Sequence, residues 1–332
     1  MRNFVPEKKY QYKSEDAGKV FFFAIIALLA LNLIFSLVAQ QIASGSELDK
    51  AEAIENVYNS TLFNSLFALF SLLVLVGVFF AHKRIENFTF SASKINVKIK
   101  WHTILVCIAV GTIALLGLQY LTGVFDDFLS LIKFPLDQTS VFKLDNFGQF
   151  VVGVLVLALI PAIGEELIFR GVILHGLNSR YSSLASILLS SAMFALFHMN
   201  LQQVFYQFLL GSIMAWAVLR TGSLISSMII HFTSNFLVVL FEFIRNQTGF
   251  SFDLPHVWWF YLVAVVLAGI TFALFFLIDK YYFKKHSNNE ENSKVISQTE
   301  EKESKTSGYL WLSLAIAGAM LVVSTVSAYL SV

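Results

Sequence analysis

Charge is scarce in this chain. Asp, Glu, Lys and Arg make up 14% of the 332 residues, against about 25% in soluble domains. Hydrophobic residues reach 57%, so the composition excludes an ordinary soluble globule. An excess of one sign is missing too: 23 Lys and Arg face 22 Asp and Glu, a balance that cannot build the basic field nucleic-acid binding needs. No nucleic-acid partner is expected. Cysteine is almost absent, and Cys107, inside an apolar run, excludes an intrachain disulfide framework and multi-cysteine zinc or iron–sulfur sites.

What the chain does have is long apolar stretches. A hydrocarbon core about 30 Å thick needs roughly 20 apolar residues in helix. Nine runs qualify, near 19–41, 61–81, 101–123, 148–178, 182–199, 203–220, 223–245, 257–279 and 309–331. The expected fold is an all-α, polytopic transmembrane bundle. No soluble domain fits between the runs, and the first, which lacks a small-residue cleavage site, reads as a retained helix. The expected organisation is an N-terminal part over 1–147 with three spans, a core over 148–283, a polar tether over 284–308 and a last helix over 309–332.

Orientation follows the Lys/Arg bias of the loops. Segment 83–100 carries Lys83, Arg84, Lys94, Lys98 and Lys100 against Glu86, whereas 42–60 carries Glu47, Asp49, Glu52 and Glu55 against Lys50. The first loop is expected in the cytoplasm and the second outside. Alternation then places the N-terminus inside and the C-terminus outside. The tether, with five Lys and five Glu, reads as a solvated linker.

A charged side chain at the bilayer centre costs at least about 2.5–3.5 kcal/mol, so each one asks for a function. They concentrate between 161 and 235: Glu165, Glu166 and Arg170 on the fourth helix, His198 at the end of the fifth, and His231 with Asn235 on the seventh. Glu166 and Arg170, four apart, share a helix face and can neutralise each other. Glu165 is turned about 100° away and stays available as a proton acceptor. His231 and Asn235 are also four apart and form a two-pronged polar patch. Pro161 removes a backbone donor and frees a carbonyl one turn earlier, so the long fourth helix is expected to bend or protrude. His102, His175, His256 and His286 lie near span ends or in polar segments and read as solvated or interfacial.

Such a set can activate water. A desolvated glutamate takes a proton near neutrality, histidine shares or returns it, and His and Asn donate to a developing oxyanion. The expected chemistry is hydrolysis, with Glu165 and His198 activating water and His231 and Asn235 stabilising the tetrahedral intermediate.

Three segments carry a resemblance to a known family. They are Glu-Glu-Leu-Ile-Phe-Arg at 165–170, Phe-Ala-Leu-Phe-His at 194–198 and His-Phe-Thr-Ser-Asn at 231–235. In order and separation they resemble the motifs of the CPBP intramembrane proteases, which include type II CAAX prenyl endopeptidases and bacteriocin-immunity (Abi-like) relatives. The resemblance covers about residues 148–245. It implies a helical core around a conical cavity open to the cytoplasm, and peptide-bond hydrolysis near a substrate's C-terminus. It also implies catalytic roles for Glu165, His198, His231 and Asn235, with Glu166 and Arg170 in support.

The expected mechanism is glutamate-based and needs no cofactor. Zinc held by Glu165, His198 and His231 is the alternative, although the His-Glu-x-x-His motif is missing. Expected partners are the lipid bilayer and a membrane-associated peptide or protein substrate. The competing readings are a non-catalytic partner-binding or immunity protein, and an ion-coupled transporter using the same polar cavity. No internal repeat favours transport. Heavy use of Phe, Ile, Lys and Asn points to a bacterium with an AT-rich genome, hence to a bacterial cell membrane.

Overall fold

A computed structural model describes residues 11–136 apart from 89 and 91, then 144–250, Val266 and 308–330. The described residues form nine helices and no strand: α1 Ser14–Ser44, α2 Lys50–Tyr58, α3 Thr61–Ile85, α4 Trp101–Leu131, α5 Phe147–Asn178, α6 Ser183–Phe197, α7 Leu201–Thr221, α8 Leu224–Thr248 and α9 Gly308–Leu330. Seven of them are long and apolar enough to cross a membrane. The chain is an integral membrane protein with a polytopic helical bundle. The expected span at 257–279 lies, Val266 aside, outside the described residues, as does the tether at 284–308 up to Gly308.

Polar residues set the helix ends. Asp49, Ser60, Asn146, Ser182 and Asn200 each accept a backbone N–H from the first turn that follows them, occupying donors that a helix start leaves orphaned. Gly222 (φ 65°) and Gly249 (φ 70°) close α7 and α8 in the left-handed conformation that glycine tolerates.

The helix over 183–197 corrects one expectation. It has 15 residues, roughly 22 Å at 1.5 Å per residue, and falls short of a full crossing. The apolar run expected over 182–199 ends only two residues beyond it. Met199 turns left-handed at φ 49° and Asn200 caps α7, so His198 ends α6 and is followed at once by a tight reversal.

α8 packs against α4, α5 and α7, while α5 also lies against α1 and α3, and α6 pairs with α7. Small residues let the backbones approach, as they do in membrane bundles. A Cβ on Gly111 of α4 would come within 2.8 Å of the Ile230 carbonyl oxygen on α8. That close fit presses α8 inward at the turn carrying His231.

Candidate active site

Pro161 shapes the helix that carries the two glutamates. α5 is 32 residues long and is interrupted by two π-helical stretches, Val154–Leu159 and Phe169–Ile173, on either side of an α-helical segment Ile160–Ile168. π turns of this kind cluster at functional sites. Four residues before Pro161, the Leu157 carbonyl lacks the donor an uninterrupted α-helix would supply. Asn235 Nδ2 donates to it at 3.0 Å. The freed carbonyl therefore ties α8 to α5.

One turn further on, Glu165 and Glu166 straddle a single imidazole. Glu166 is fully buried, and its Oε1 accepts from Arg170 Nη1 at 2.8 Å and from His231 Nδ1 at 3.0 Å. Across the same ring, His231 Nε2 stands 3.9 Å from Glu165 Oε2. The Glu165 side chain retains 15% exposure, while its Oε2 is buried with no hydrogen-bond partner. The 100° between adjacent helical residues separates their duties: one carboxylate is neutralised and fixed, the other is presented.

Arg170 closes the buried end. Its Nη2 donates to the Gly211 carbonyl on α7 at 3.2 Å, and its guanidinium lies 4.3 Å from the Phe194 ring centroid. A Cβ on Gly211 would stand 3.2 Å from Arg170 Nη2 and from Phe194 Cδ1, so glycine makes room for the cation. Phe194 also meets His198 edge-on at 4.8 Å and His231 at 5.9 Å between ring centroids. This aromatic packs against three of the predicted site residues. Its place in the 194–198 segment was the only sequence signal for it, and Gly211 and Leu157 carried none.

His198 is held by its own helix. Its Nδ1 lies 2.8 Å from the Phe194 carbonyl oxygen, which can only accept, so Nδ1 carries the proton and the neutral ring offers Nε2 as a base. Glu165 and His231 both lie within electrostatic reach of this ring. The fold thus brings Glu165, Glu166, Arg170 and His231 into contact, with His198 beside them. Asn235 reaches the Leu157 carbonyl rather than the carboxylates. His175, expected to be solvated or interfacial, is half-buried, with Nδ1 2.6 Å from the Arg170 carbonyl oxygen; it braces the turn after the arginine.

Residues 147–237 match the Rce1-like family model, described as type II CAAX prenyl endopeptidase Rce1-like. Over these residues the chain is similar to the CPBP-type protease core. The matched stretch contains all six residues of the polar cluster and less than a third of the chain. No curated protein and no solved structure matches it. The Rce1-like family is one of CAAX-type intramembrane proteases, generally independent of cofactors.

Zinc would need Glu165, His198 and His231 together, but among the described residues they do not bring one donor atom each within 4.8 Å of the others, as ligands of one ion must.

Proposed function

We propose that this chain is an intramembrane endopeptidase that cleaves a membrane-associated peptide or protein near its end, working as a glutamate protease. Glu165 takes a proton from water and the resulting hydroxide oxygen attacks the peptide carbonyl carbon. The carbonyl π electrons move onto oxygen, where N–H donors from His231 and Asn235 receive the charge. The proton then reaches the amine nitrogen from Glu165 or through His198 Nε2, and the C–N bond breaks.

The observation that carries this reading is the unequal pair of carboxylates. Glu166 is neutralised through its Oε1, which takes both Arg170 and His231, whereas Glu165 Oε2 has no hydrogen-bond partner and stands 3.9 Å from His231 Nε2 on a side chain that keeps some exposure. A water between those two atoms would lie within reach of both, with Glu165 placed to take its proton. Because Nδ1–H of His231 is spent on Glu166, Nε2 donates to an oxyanion only in the imidazolium form. Asn235 keeps its amide fixed through one N–H on Leu157 and has a second for the oxyanion. With the basic loop over 83–100 in the cytoplasm, substrate ends reach this site from the inner face of a bacterial membrane.

The test is cleavage of a quenched fluorescent peptide library by detergent-purified protein. Wild type should cleave, chelator should leave the rate unchanged, and Glu165→Ala or His198→Ala should abolish turnover without unfolding the protein. Turnover that survives Glu165→Ala overturns the glutamate mechanism. A folded wild type that cleaves nothing overturns the protease reading and favours partner binding or transport.

A further inference from the structure

A second polar cluster lies where α1 begins and α3 ends, and it shares no residue with the proposed catalytic set. Asp16, His82 and Glu86 each offer one donor atom, and these three atoms lie within 4.8 Å of one another. Asp16 and His82 are buried, at 3% and 7% exposure, while the Glu86 side chain is 31% exposed. His82 Nε2 is buried and makes no hydrogen bond, with Asp16 Oδ1 3.4 Å away. Burying an imidazole nitrogen without a hydrogen bond costs desolvation energy, which the Asp16 carboxylate offsets only when the ring is protonated.

We propose that Asp16, His82 and Glu86 bind a divalent transition-metal ion that joins the start of α1 to the end of α3. Ligand atoms about 2.0–2.2 Å from a tetrahedral zinc are roughly 3.4 Å apart, which is the Asp16–His82 separation. The surroundings fix these two ligands. Asp16 Oδ2 accepts the Lys13 N–H at 2.7 Å, which leaves Oδ1 for His82. The Tyr12 ring stacks over the imidazole at 6.4 Å and 14°, and the Tyr12 hydroxyl is held 2.6 Å from Ser93 Oγ. Lys19 pairs with Glu15 at 2.8 Å and more loosely with Glu86 at 4.0 Å, so a bound ion competes only with the weaker of its two ion pairs. One nitrogen and two carboxylate oxygens suit zinc, cobalt, manganese or ferrous iron better than the hard cations calcium and magnesium. Positions left by the three ligands face the half-exposed Glu86 side, where water completes the shell.

The experiment uses the full chain without a polyhistidine tag, stripped by chelator and titrated with Co²⁺ while the ligand-field absorption is recorded, followed by Zn²⁺ competition. One Co²⁺ per chain should bind and be displaced by Zn²⁺, and the ion should raise the thermal midpoint. His82→Gln and Glu86→Gln should each weaken binding at least tenfold and remove that rise, whereas His198→Gln should change neither. Glu86 lies at the exposed end of α3, so Glu86→Gln keeps the test valid if His82→Gln fails to fold. Absence of binding to folded wild type, binding unaltered in Glu86→Gln, or binding lost in His198→Gln overturns the proposal. Peptide cleavage is not a readout here, so failure of the metal site and failure of the protease reading are separable.

Discussion

Removing the buried cation of the site, Arg170→Met, gives the sharpest energetic prediction. Arg170 is 1% exposed and Glu166 is fully buried, and the pair meets at 2.8 Å. The substitution strands a carboxylate in the bundle with no cation beside it and only the His231 and Ser227 side chains to hold it. Breaking a buried pair from one side costs about 3–5 kcal/mol, or roughly a hundred- to several-thousand-fold in the folding constant at 1.4 kcal/mol per decade. Neutral interhelical hydrogen bonds in membranes average only about 0.6 kcal/mol, so a loss of several kcal/mol would mark the stranded charge rather than a lost donor. Reversible unfolding in mixed detergent micelles measures it. The double variant Arg170→Met with Glu166→Gln should recover most of the loss, with a coupling of about 2 kcal/mol or more. A single-variant cost under about 1 kcal/mol, or a double variant equal to the sum of the singles, would refute the argument.

Three further expectations follow from other contacts. Asn235→Ala should lower kcat by about 10²–10³, as loss of an oxyanion donor does, and KM should change little; a KM effect alone in the peptide assay would remove Asn235 from the chemistry. Gly111→Ala should cost about 1–3 kcal/mol by overpacking, because its Cβ would stand 2.8 Å from the Ile230 carbonyl, whereas Gly77→Ala meets nothing within 4 Å and should gain about 0.5–1 kcal/mol of helix propensity. Equal thermal midpoints for these two variants would contradict the α4–α8 packing. Burial pushes the pKa of the Tyr12 phenol above its ordinary value near 10, with the Ser93 hydrogen bond opposing and Asp16 adding to the shift. Stability is then full below about pH 10 and falls as pH rises beyond it, because the unfolded phenol ionises first. Tyr12→Phe should flatten that alkaline slope, and an unchanged slope would show that Tyr12 is not its source.

Contacts closed within one helix were readable from spacing alone. Glu166 and Arg170 four residues apart meet as their shared face requires. Pro161 announced a free carbonyl one turn earlier, yet nothing local could say that Asn235, 78 residues away, would supply the donor. The Glu166–His231 bond was hidden for the same reason, since it spans 65 residues and the arginine already accounted for the charge. Hydropathy marked 182–199 as a span but did not register that Met199 and Asn200 reverse the chain through backbone geometry and leave α6 only 15 residues long. His82 carries no local signal at a helix end beside Lys83 and Arg84, and its burial comes from Tyr12 and Phe88, which reach it from other segments.

The π-helical stretches on either side of Ile160–Ile168 give the glutamates an angular setting that depends on chain length. Each stretch bonds five residues ahead instead of four and so stores one residue of slack. Deleting a single residue from Val154–Leu159 would let that turn relax to α and use up the slack, leaving the residues beyond it near their present angle, whereas a deletion in the preceding α-helical stretch Phe147–Gly153, with the π turn retained, would rotate everything beyond it by about 100° relative to the preceding helix. That step equals the offset between Glu165 and Glu166, so the second deletion would set Glu166 where Glu165 now stands. The position of the base is therefore written in how many residues precede it, as well as in which residue it is.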